Sequence, residues 1–324
     1  MVLETEIGFF GKLPFHQEFI QVNAAFPEMY QLDEWFQEGV QLMRRHADVA
    51  WPSDFENGGP WEFLYYPPGS QRCLIGLYSP SRDQGGRHYP FFVFRSLART
   101  IPAWPLFLAP LAFAEFLEAA YLFGKTDWRE CTIQLLKQRL DQMPIGAMDL
   151  PGCQECYENF LTRQTTEGLW TDLFGQFEDA RKYVFYRNLV RILEPLRNYS
   201  ITQLAIGLLF PLLPYDKSQY FDIAFWLDLI QRLLRQELGG AICFWKRRGH
   251  KQQSHLFVHL GKPSAKTLLW LIRPDVESDV NYDLAPATDE SPARVLLRVG
   301  HSQRKLLQTA DLSLSTFLSV VEVL

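Results

Sequence analysis

After Pro27, the apolar residues Met29, Leu32, Phe36, Val40 and Met43 recur at three- and four-residue spacing and predict an amphipathic helix. Proline suits such a start, because its missing N–H would be unpaired in the first turn anyway. Upstream, 6–10 reads as a short strand that ends at Gly11, and Pro14 turns the chain. Aromatic and apolar runs at 61–66, 73–78 and 90–97 predict three strands separated by Pro-Pro-Gly and Gly-Gly turns. Strands so close in sequence pair antiparallel, since a parallel crossover needs a dozen or more residues.

From 105 to 140 the pattern is helical, with a break at 124–127, and 143–152 reads as a linker. Tyr183, Tyr186, Val190 and Leu193 place a helix within 178–197. A second α/β stretch follows, with a strand over 201–210. Asp222 is the expected N-cap of a helix bearing Ile223, Trp226, Leu227, Ile230, Leu233, Leu234 and Leu238, which Gly239 stops. A hairpin is expected over 241–245 and 254–260, a helix over 264–272 and a mobile acidic loop over 274–292. Leu314, Phe317, Leu318 and Val321 mark a closing helix. No internal repeat is visible in the sequence. The fold class is α/β (α+β): an antiparallel-rich sheet flanked by helices, with a mixed C-terminal half. Two domains are expected, 1–145 and 146–324.

Composition narrows the class. The chain has 324 residues, 47% of them hydrophobic and 15% aromatic, enough for a packed core and against disorder. Its net charge of -5 argues against a nucleic-acid partner. The start, Met1-Val2-Leu3-Glu4-Thr5-Glu6, is acidic where a secretory signal is basic. The longest apolar run, 101–123, carries Pro102, Pro105, Pro110, Glu115 and Glu118, so no membrane insertion is expected. Cys73, Cys131, Cys153, Cys156 and Cys243 form no disulfide framework, which suits a cytoplasmic protein.

Several clusters are candidates for chemistry. Gly8-Phe9-Phe10-Gly11-Lys12-Leu13-Pro14 has two residues between its glycines and Leu after Lys. A phosphate loop needs four, and Ser or Thr to reach magnesium, so the segment reads as a strand ending in a sharp turn. In 79–90, Asp83 is placed to accept from the turn backbone. Arg87 either pairs with Asp83 and locks the loop, or grips a partner's carboxylate or phosphate, as does Lys12. Cys153 and Cys156 have no second pair at zinc-ligand spacing, so neither a metal nor a cofactor is expected. His255 and His259 flank Phe257 on one strand face. His16, His46 and His88 lack a Gly-x-Ser-x-Gly context, and no enzyme activity is expected. The basic run at 246–251 suits a solvated hairpin tip or a contact with an acidic partner.

Taken together, the N-terminal segments resemble the TagF (ImpM) family of type VI secretion proteins. The likeness rests on Gly8 to Pro14, on Leu32-Asp33-Glu34-Trp35-Phe36-Gln37 and on Trp61-Glu62-Phe63. It rests further on Gly76-Leu77-Tyr78-Ser79-Pro80-Ser81-Arg82-Asp83, continuing through Gly86-Arg87 to Tyr89-Pro90. The family shows Gly-Asp-Phe where this chain has Gln17-Glu18-Phe19. The resemblance implies a bacterial, post-translational repressor of type VI secretion that acts by protein–protein binding, in some members through a forkhead-associated (FHA) scaffold. The alternatives are a baseplate component of the same machine and a hydrolase or phosphatase. On this reading the turns at 8–14 and 79–90 present Lys12, Asp83 and Arg87 to the partner, with Trp35 supporting the helix beneath. Gly8, Gly11, Pro14, Phe19, Trp61, Phe63, Gly76, Pro80, Ser81, Gly86 and Pro90 shape the turns.

Overall fold

The structure, a computed structural model, describes residues 5–46, 51–70, 72–98, 105–144, 149–246, 254–274 and 276–323. In chain order the elements begin with β1 (Thr5–Gly11), β2 (Ile20–Val22), α1 (Pro27–His46), α2 (Trp51–Asn57), β3 (Trp61–Tyr65), β4 (Arg72–Ser79) and β5 (Phe91–Ala98). Helices α3 (Ala109–Ala112), α4 (Ala114–Gly124), α5 (Ile133–Asp141), α6 (Leu150–Arg163), α7 (Thr166–Phe174) and α8 (Ala180–Leu193) follow. Then come β6 (Ala205–Leu212), α9 (Tyr215–Ser218), α10 (Phe221–Leu234), β7 (Ala241–Lys246), β8 (Ser254–Gly261), α11 (Ala265–Ile272) and β9 (Asn281–Asp283). The described chain closes with α12 (Pro292–Leu296), α13 (His301–Gln308) and α14 (Leu314–Val323).

Among the described residues the nine strands form one sheet, in the order β2-β1-β5-β4-β3-β7-β8-β6-β9. Every pairing is antiparallel except β6 with β9. The period of two sends Phe63, Tyr78, Phe92, Phe244 and Phe257 to one face, under α1, α2 and α11. It sends Leu64, Ile75, Leu77, Val93 and Trp245 to the other, under α4, α8, α10 and α14. Both faces are covered, which is why the central strands read as nearly unbroken apolar runs. The apolar stretch Leu106–Gly124 bends by 63° at Phe113, and among the described residues no single helix is long and apolar enough to cross a membrane.

The expected strands at 6–10, 61–66, 73–78 and 90–97 are present and antiparallel, as is the hairpin of β7 and β8. Part of the expected linker, residues 145–148, and with it the 145/146 boundary, lies outside the described residues; α6 already begins at Leu150. Either side of that boundary, β3 and β7 pair directly, so both parts of the chain build one sheet.

Other expectations need correction. Asp222 lies inside α10 rather than at its N-cap, which is Tyr220. Its buried carboxylate accepts from the N–H groups of Leu213 (2.8 Å) and Ile223 (2.9 Å), tying β6 to the helix. Burial pushes its pKa up to about 6 against those hydrogen bonds. The helix stops at Arg235 in the left-handed region (φ +55), before Gly239. The stretch expected to be a mobile acidic loop holds β9, whose Asn281 is buried, and α12 begins at its end.

The sheet also repeats itself in a way the sequence does not. Strands β4, β5 and β1 lie in that order on one side of β3, and β7, β8 and β6 lie in that order on the other. Each step is antiparallel, so the two sets run in matching directions. The helices exchange faces: α1 and α11 share one layer, whereas α4 and α10 lie in the other. In strand order, strand direction and helix side, β1–α1–β4–β5–α4 on one side of β3 thus corresponds to β6–α10–β7–β8–α11 on the other. The outer strands break the correspondence, since β2 is antiparallel and β9 parallel to its neighbour.

Candidate functional site at one end of the sheet

The strand registers bring Gly11, Ser79 and Phe91, the start of β3 at Trp61, and Lys246 with His255 to the same end of the sheet. The turns at 12–19 and 80–90 cap this end. Gly11 has φ +135, and a Cβ there would collide with the carbonyl oxygen of Pro90, so no other residue lets β1 leave the sheet this way. One residue on, the Lys12 N–H donates to the Pro90 carbonyl at 3.4 Å.

At the centre of the cap is Asp83, 2% exposed. Its Oδ2 accepts from Lys12 Nζ (2.7 Å) and Arg87 Nε (2.6 Å), and its Oδ1 from the Arg87 N–H (2.8 Å). Burial alone would raise this carboxyl, but the hydrogen bonds from Lys12 and Arg87 outweigh it and lower the pKa to about 2. The Arg87 guanidinium continues to the Gln17 carbonyl (2.5 Å), and Gln84 N–H reaches the His16 carbonyl (3.0 Å). Two turns 70 residues apart in sequence are thereby locked together. Phe19 stacks on Phe10 and meets Tyr89 edge-on, with the Lys12 ammonium 4.9 Å from its ring centre. Tyr89 in turn donates to the Asp33 carboxylate of α1.

This arrangement revises the roles expected from sequence. Lys12 and Asp83 are buried and satisfy each other, so they stiffen the cap rather than face a partner. Trp35 is buried too and donates from Nε1 to the Ser264 carbonyl at the start of α11 (2.7 Å). Of the three side chains expected to be presented to a partner, only Arg87 is open to it, with 55% of its side chain exposed. The remaining motif residues shape this end. Ser81 accepts from the Tyr89 N–H, Gly86 N–H donates to the Asp83 carbonyl, and Trp61 Nε1 caps the Gly58 carbonyl at 2.6 Å. Pro80 packs against Gly59, Phe63 lies between Phe92 and Phe244, and Gly8 and Gly76 fit against Phe94.

Beside the cap, Pro14, Pro80, Ser81, Phe91, Thr126 and Trp128 line an open cleft of about 420 Å³. Arg82 and Arg129 stand at its rim, facing Glu56 (3.7 Å) and Asp127 (2.7 Å). Sequence reasoning missed Glu56 and 126–129, because only the fold carries them to the turn at 79–82. Elsewhere, Cys153 and Cys156 lie on α6, and among the described residues no three His, Cys, Asp or Glu side chains are grouped to hold a metal. His259 is 1% exposed, and burial lowers its pKa to about 4 although the Gly261 carbonyl opposes this; it is a core histidine. His46 has no described side chain.

A sequence model described as the TagF N-terminal domain, type VI secretion system-associated, matches residues 8–143, which hold the whole cap and the cleft's 126–129 wall. The class is thus an α/β protein whose residues 8–143 match a type VI secretion-associated domain. Over this part the chain is similar to the TagF family. A solved structure, that of PA0076 from Pseudomonas aeruginosa PAO1, is similar at 15% identity and a TM-score of 0.49, covering 88% of this chain and 99% of that one. No curated protein matches the chain.

Proposed function

We propose that this protein is a non-enzymatic, cytoplasmic repressor of type VI secretion that acts after translation by binding a component of the machine. The binding surface is the capped end of the sheet. One observation carries the reading: in a domain of a type VI secretion-associated family, the two motif turns are locked by a buried carboxylate beside an open cleft rimmed with arginines. A surface ordered in advance loses little conformational entropy on binding, so stiffness here favours recognition. The exposed guanidiniums of Arg82, Arg87 and Arg129 suit a partner that offers carboxylates or phosphates. A forkhead-associated scaffold protein is the partner class that the family likeness implies.

The test is overproduction in cells that are actively secreting through the type VI machine. The wild-type chain should lower release of secreted substrates. A double variant, Arg82→Glu with Arg129→Glu, should restore release about tenfold and lose the machine component that copurifies with the tagged wild type. Repression by a folded double variant at equal level would exclude this surface. Unchanged secretion under wild-type overproduction would end the repressor reading.

A further inference from the structure

Cys153 and Cys156 take no part in the cap. They lie three positions apart on α6, a spacing that sets both on one face of the helix. Cys156 is exposed and Cys153 half-buried, so both are open to solvent. The other cysteines differ: Cys73 and Cys243 are buried in β4 and β7, and Cys131 donates from Sγ to the Thr132 carbonyl (3.3 Å). Cβ atoms three positions apart on a helix are about 5–6 Å apart, whereas a disulfide needs about 3.5–4.5 Å. An intact α6 therefore holds this pair too wide to oxidise readily. An ion between the sulfurs spans the gap without distorting the helix, because two metal–sulfur bonds of about 2.3 Å reach across about 4.6 Å.

Ligand count then selects the ion. Structural zinc takes four ligands, and among the described residues no three His, Cys, Asp or Glu side chains are grouped to hold a metal. Calcium and magnesium take oxygen ligands. Thiolates select soft ions, and a cuprous ion is satisfied by two of them. The surrounding charge has the right sign. Asp149, Glu155 and Glu158 are acidic, and 149–162 contains no Lys, Arg or His. Asp149 caps the helix by accepting from the Gly152 N–H (3.1 Å), one residue before Cys153. Burial first, then the Asp149 carboxylate and the Cys156 thiol, push the Cys153 thiol above its ordinary range, which places both groups near its sulfur. A field that holds a proton on sulfur attracts a cation in the proton's stead.

We infer that Cys153 and Cys156 form a binding site for one cuprous ion, held between their two sulfurs on the exposed face of α6. Binding converts both thiols to thiolates and releases two protons, one from each, with no change of oxidation state. The site is independent of the cap and of the repressor reading, and it gives the chain beyond the family-matched 8–143 a ligand of its own. It adjoins Tyr157, which donates to the buried Asp228 of α10 (3.0 Å), so a bound ion stiffens α6 where the helix is tied to the core.

An anaerobic titration of the reduced full chain with cuprous ion, in competition with bathocuproine disulfonate, tests this. Wild type should withdraw one equivalent from the chelator, and Cys131→Ser should do the same. Cys153→Ser and Cys156→Ser should each lose that equivalent, with equal thermal melts of the metal-free proteins establishing that they are folded. X-ray absorption of the loaded wild type needs no variant and should show two sulfur neighbours at copper. No equivalent withdrawn by wild type, or one retained by either of these two serine variants, would overturn the site. Three or four sulfur neighbours would overturn it equally. So would zinc uptake that turns the protein into a dimer by light scattering, since a second copy would then be completing a four-ligand site.

Discussion

Asp83 meets three donors from two residues, and the consequences of removing it differ sharply from those of removing either partner. Lys12 has 8% of its side chain exposed, so Asp83→Asn leaves an ammonium in the protein with no opposing charge. Breaking a buried pair from one side costs about 3–5 kcal/mol, whereas Arg87→Ala removes a half-exposed partner and should cost about 1 kcal/mol or less. The double replacement Lys12→Met with Asp83→Leu should recover part of the loss by removing both charges together. Urea denaturation of the variants checks the ranking; an Asp83→Asn midpoint equal to that of Arg87→Ala would show that the pair is not what holds the cap. The sequence shows Asp83 beside Arg87, four positions away, and that lock is legible there. Its stronger tie to Lys12 spans 71 positions and is visible only once β1 and β5 are paired.

The elements read most easily are those whose own pattern decides them. Helix α1 follows its apolar spacing, and β3 to β5 follow their aromatic runs and turns. Elements decided by partners were not legible. β9 has three residues and exists because β6 offers it an edge, and α10 ends where Arg235 adopts the left-handed region, not at the glycine beyond. The packing of α1 on α11 belongs to the same group. A Cβ on Gly39 would press into the side chain of Leu268, and Trp35 reaches 229 positions along the chain to the Ser264 carbonyl. Gly39→Val should therefore force α1 and α11 apart, at about 1–3 kcal/mol as for other overpacked cores. Trp35→Phe keeps the ring's burial but loses a hydrogen bond, at about 1 kcal/mol. Thermal melts should show both losses. A Gly39→Val protein as stable as wild type would mean that the helices have room between them which the packing denies.

At the scale of the whole molecule, the TagF domain and the remainder share their interior as well as their sheet. The apolar layer that includes α1 takes Phe36, Phe63 and Phe92 from the family-matched part, and Phe244, Phe257 and Leu268 from the rest. Cutting the chain after residue 144 would strip β3 of β7, exposing the backbone donors and acceptors of a strand whose five residues are all buried. An unprotected apolar edge of this kind invites pairing with other copies. Residues 1–144 made alone should accordingly be insoluble or polydisperse by light scattering. Coexpression with residues 149–324 should rescue a monodisperse complex of one copy each, because the second fragment returns both β7 and α11. The two-domain expectation from chain length and the single sheet make opposite predictions here. A fragment 1–144 that is monomeric and melts as cooperatively as the full chain would mean that β3 tolerates an open edge and that the matched arrangement about it is not needed for folding.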